Sequence, residues 1–90
     1  MKRTVITVVG KDTIGIIAKI SNYLANNKIN ILDISQTIVS DFFNMMMIAD
    51  FSTSEKPFDL ISHELSQIGD EIGMVIKCQR EEIFDMMHRV

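Results

Sequence analysis

Hydrophobic periodicity switches between two and about 3.6 several times within ninety residues, and the order of those switches restricts this chain to very few folds. Residues 4–9 (T-V-I-T-V-V) are β-branched and end at Gly10, which reads as a first strand. Ile16, Ile17, Ile20 and Leu24 then recur at three- and four-residue spacing, predicting a helix over about residues 13–27 with Asp12 suited to its N-cap. Leu32, Ile34 and Ile38 alternate with Asp33, Ser35 and Thr37, the signature of a strand with one covered and one wetter face, although Gln36 interrupts the apolar side. After the short turn at Ser40 and Asp41, residues 43–51 are apolar at nearly every position. They predict a central strand covered on both sides, paired with its predecessor as a hairpin.

A second helix opens near Ser54-Glu55-Lys56-Pro57, since proline is tolerated in the first turn. Phe58, Ile61, Leu65, Ile68 and Ile72 mark its inner face. Past Gly73, Met74, Ile76 and Cys78 alternate with Val75, Lys77 and Gln79 as a fourth strand. Ile83, Met87 and Val90 on one side of residues 80–90 suggest a short terminal helix, packed on the domain or across a dimer. The order βαββαβ predicts an α+β, ferredoxin-like fold, a four-stranded antiparallel sheet with both helices on one face. Right-handed crossovers set the spatial order 4-1-3-2, so the second strand is an edge. Residues 1–79 form the domain and residues 80–90 the added helix.

Several function classes are excluded by composition. A net charge of −3 with scattered lysines and arginines gives no reason to approach nucleic acid or an anionic membrane. Cys78 stands alone and cannot form an internal disulfide, and no long apolar span or signal-peptide core is present; the expected location is the cytoplasm. The central strand has phenylalanines but no basic residue, unlike an RNA-recognition sheet. Met45, Met46 and Met47 alternate in direction along a strand and cannot converge on a metal ion. No metal and no other cofactor is expected.

The loop G-K-D-T-I-G at residues 10–15 is the chief candidate site. Its Gly-x-x-x-x-Gly spacing is that of a phosphate-binding loop, yet Ile16 and Ile17 stand where Lys and Ser or Thr would be needed. Asp12 occupies the place of the middle glycine of a dinucleotide motif. Gly15, read as lying in the first helical turn, costs about 0.8 to 1 kcal/mol relative to alanine, so something requires bare backbone there. A small acylphosphatase-like hydrolase shares this fold and an anion-binding first loop, but would be expected to aim an arginine from it, and the loop offers only Lys11. His63 and His88 are remote from it, and no catalytic residue is assigned.

The segments V-V-G-K-D-T-I-G-I-I-A-K-I-S-N-Y-L-A and N-K-I-N-I-L-D-I-S-Q resemble the ACT-domain pattern, in which Asp-x-x-Gly-Ile opens the first helix and Asn-Ile opens the second strand. The chain is similar to small stand-alone ACT proteins and to the ACT modules of the glycine-cleavage regulator and of formyltetrahydrofolate deformylase. That resemblance implies a regulatory, non-enzymatic module that binds a small ligand, often an amino acid, at a homodimer interface and acts on a partner protein. Its ligand would lie between Asp12, Thr13, Ile14, Gly15 and Ile16 of one subunit and Asn30 and Ile31 of its neighbour, with the dimer formed through strand 2. The amides of Ile14, Gly15 and Ile16, at a helix N-terminus, suit a carboxylate. Asp12 either caps the helix or accepts from an α-ammonium group, and Asn30 is either a turn residue or a ligand contact.

Overall fold

The computed structural model describes residues 3–11 and 13–82. Its elements are β1 (Arg3–Lys11), α1 (Ile16–Asn26), β2 (Asn30–Val39), β3 (Phe42–Asp50), α2 (Phe58–Ile72) and β4 (Met74–Arg80). All three strand pairings are antiparallel, and the sheet order is β2-β3-β1-β4, the expected order read from the other edge. β1 is the sheet's keystone. Its Ile6 sits between Met47 of β3 and Cys78 of β4, and Val8 between Met45 and Ile76.

Period-two alternation sends Ile6, Val8, Met45, Met47, Ala49 and Ile76 to one face, where Ile16, Ile20 and Leu24 of α1 and Ile61 and Leu65 of α2 complete the core. Burying each valine, isoleucine, leucine or methionine among them contributes about 1.5 to 3 kcal/mol. Phe58, Ile68 and Ile72 pack at its margin, so the apolar face expected for α2 is the one used. Helix α2 begins one residue after Pro57, which is its N-cap rather than a first-turn residue. At the other end Gly69 lies so close to β4 that a Cβ there would stand 2.5 Å from the carbonyl oxygen of Met74. The helices are clasped by Glu64, whose Oε1 accepts from the Tyr23 hydroxyl at 2.5 Å and from Lys56 Nζ at 2.8 Å. Hydrogen bonding to Lys56 holds the Glu64 carboxyl below its usual range, while burial and then Glu64 raise the Tyr23 phenol. Burial also pushes the Cys78 thiol up to about 12, as suits a packing residue.

Other sequence expectations change as well. β3 is covered on one face only: Phe43, Met45 and Met47 are buried while Phe42 and Met46 are exposed, because both helices occupy the same side. A run of apolar residues therefore marked a central strand but not a doubly covered one. β2 is less covered than expected, with every residue except Ile31 exposed, since it lies at the sheet edge. α1 starts at Ile16 rather than Thr13, and its N-cap position is held by Gly15 rather than Asp12. Asp12 itself lies outside the described residues. So do residues 83–90 of the expected terminal helix; a helical turn begins at Glu81 and Glu82. Among the described residues no helix is long and apolar enough to cross a membrane.

Candidate functional site

The β1–α1 turn is built around Gly15, whose φ of 86° and ψ of 6° place it in the left-handed region. An L side chain there costs roughly 1 to 2 kcal/mol, so the turn itself demands the glycine. This replaces the expectation of a glycine inside the first helical turn. A Cβ on Gly15 would meet nothing within 4 Å, so the position also borders open space. The first helical hydrogen bond runs from Lys19 N to Gly15 O at 3.0 Å. The amides of Ile16, Ile17 and Ala18 precede it, in the first turn, where a helix does not supply acceptors from its own backbone. Among the described residues no side chain caps this end, and the first turn carries no acidic residue to offset its partial positive charge.

Two neighbouring isoleucines have opposite roles. Ile16 is 2% exposed and anchors the helix start in the core, whereas Ile14, at 102%, projects fully into solvent. Gln36 and Ile38 of β2 face this turn, and with Ile17, Ala18 and the buried Phe43 they enclose a concavity of about 330 Å³. Its walls are mostly apolar. Thr13 and the Gln36 amide provide polar groups at its edge.

The structure thus brings Thr13, Ile14, Gly15 and Ile16 together, and separates them from Asn30 and Ile31. Asn30 pairs with Asp50, which lies opposite Arg3 at the start of β1, while the turn follows Lys11 at its end. Eight residue steps along β1 amount to about 26 Å. Gln36, Ile38, Ile17 and Phe43 were not singled out as site residues from sequence. The one signal for them was Gln36, a polar residue interrupting the apolar side of β2. Among the described residues no group of three metal-ligating side chains exists, and His63 is exposed on α2 away from the turn.

Residues 2–79 match the family model described as the ACT domain. The chain is 52% identical over 90 residues to a UPF0237 protein of Bifidobacterium longum, covering 100% of both chains. Among solved structures it is similar to an ACT domain protein from Streptococcus pneumoniae, with 36% identity, a TM-score of 0.81, and coverage of 93% of this chain and 94% of that one. It also superposes on part of a formyltetrahydrofolate deformylase from Pseudomonas syringae, with 25% identity and a TM-score of 0.81, over 88% of this chain and 27% of that one.

Proposed function

Because the chain belongs to the ACT-domain family of small regulatory domains, we propose that it is a cytoplasmic regulatory module that binds an amino acid at a homodimer interface formed through β2 and acts on a partner protein. The observation that carries this reading is the outer edge of β2. Leu32, Ile34, Ile38 and Val39 are all exposed, and no Lys, Arg or Pro occurs between Ile29 and Glu55 to discourage strand pairing. Antiparallel pairing of residues 32–39 with a two-fold mate extends the sheet to eight strands. A pairing centred on Ser35 and Gln36 sets the mate's Asn30 level with Asp41, at the end of the sheet where the β1–α1 turn leaves. The separation of Asn30 from the turn within one protomer is then removed between protomers.

In this arrangement the uncapped amides at the start of α1 receive the ligand carboxylate. The apolar notch of Ile17, Ile38 and Phe43 takes its side chain, and Gln36 and the mate's Asn30 supply hydrogen bonds. No residue is given a catalytic role. A thermal-shift screen of the twenty amino acids tests the reading. A ligand at one hundred times its Kd adds about 2.7 kcal/mol, or roughly 11 to 22 °C in a domain of this size. If no amino acid raises the Tm, the ligand class is wrong.

A further inference from the structure

We propose a second ligand site, for a small monocarboxylate with an apolar body, at the end of the sheet remote from the β1–α1 turn. A groove of about 770 Å³ lies there between the start of β1, the β3–α2 connection and the end of β4, within the size range of small-molecule sites. Its apolar wall is the pair Phe51 and Phe58, with ring centroids 6.0 Å apart at an interplanar angle of 40°. The Arg80 guanidinium stacks over Phe58, 4.6 Å from the ring centroid.

Arg80 differs from the other cations near it. Arg3 is held by Glu81, Lys56 by Glu64 and Lys28 by Glu55, and further off Lys19 is held by Glu71. Among the described residues Arg80 has no such carboxylate. Arg80 is exposed, and contact with the ring restrains its guanidinium, a group suited to hold a carboxylate through two parallel hydrogen bonds. Around the groove Arg3, Lys56 and Arg80 are balanced by Glu55, Glu81 and Glu82. That balance disfavours polyphosphates and selects a ligand of single charge. The aromatic wall then receives its apolar part.

The test is an NMR titration of the full-length chain with phenylacetate, using phenylacetamide as the uncharged control. Saturable shifts are expected at the amides of Ser52 and Phe58 and at the Arg80 Nε–H, with Gly15 and Ala18 unmoved. Binding should be at least about tenfold weaker for phenylacetamide, and for phenylacetate with Arg80→Gln. Arg80→Lys keeps the charge without the fork and should fall between parent and Arg80→Gln. An Arg80 Nε–H that does not respond saturably, or equal affinity for phenylacetate and phenylacetamide, overturns the proposal. Because Gly15 and Ala18 report the other site separately, failure here leaves the amino-acid reading standing, and failure of the screen leaves this one standing.

Discussion

Replacing Gly15 separates what the backbone needs from what a ligand needs. At φ 86° any L residue is strained, yet a Cβ would enter open space, so no steric clash adds to the cost. Gly15→Ala should therefore destabilise the fold by roughly 1 to 2 kcal/mol, lowering the Tm by roughly 4 to 16 °C. Gly15→Asn should cost less, because its short amide makes the left-handed region more accessible. Gly15→Asp shares much of the Asn backbone cost and adds a negative charge beside the α1 amides. With a ligand carboxylate about 4 Å away and an effective dielectric near 20, that charge opposes binding by about 4 kcal/mol before screening and relaxation. Urea denaturation measures the first effect, and calorimetry with the amino acid found by the screen measures the second. An unchanged Tm for Gly15→Ala would refute the conformational account of the turn. Equal affinity in Gly15→Asn and Gly15→Asp would place the carboxylate elsewhere.

Gly69→Ala should lower the Tm despite alanine's higher helix propensity, because a Cβ 2.5 Å from the Met74 carbonyl forces α2 away from β4; overpacking of this kind costs about 1 to 3 kcal/mol. A rise in Tm would contradict that contact. Tyr23→Phe should cost about 1 kcal/mol in urea denaturation, through loss of its hydrogen bond to Glu64; no change would mean that the clasp contributes nothing. In alkali the thiol of Cys78 ionises near 9.0 when unfolded but only at about 12 when folded, so the folded state binds the extra proton across that window. Stability should be intact below pH 9 and fall by up to about 1.4 kcal/mol per pH unit above it. Because the Tyr23 phenol is also raised, it should add to that loss above about pH 10. Denaturation curves for Cys78→Ala should show a shallower alkaline slope; an unchanged slope would remove Cys78 as a cause.

Periodicity made the architecture legible because each helix and strand buries one face. Ile16, Ile20 and Leu24 fall at helical spacing, and Met74 and Ile76 alternate with exposed Val75 and Lys77, so element types and sheet order could be read in advance. What local pattern could not show was how far the helical layer reaches. Ile34 and Ile38 lie on an apolar side that extends past α1, and Met46 sits on the face that neither α1 nor α2 covers. Gly15 was legible as a position needing bare backbone, but its cause, a left-handed N-cap, is a matter of dihedral angle. The turn residues at Thr13, Ile14, Gly15 and Ile16 were legible through the ACT-like motif. The joining of Gln36 and Ile38 to them was not, because residues twenty or more positions apart meet only once β2 and α1 are packed. The same is true of Arg80, Phe58 and Arg3 at the other end.

Pairing of β2 with its symmetry mate is the central claim, since it both covers the exposed apolar edge and completes the proposed amino-acid site. Sedimentation velocity of the full chain at micromolar concentration tests it most directly. The account predicts one species of twice the 10.3 kDa chain mass, converted to monomer by Ile34→Lys, which places a charge in the joined edge without disturbing a buried position. A parent protein that sediments only at the mass of a single chain would contradict it.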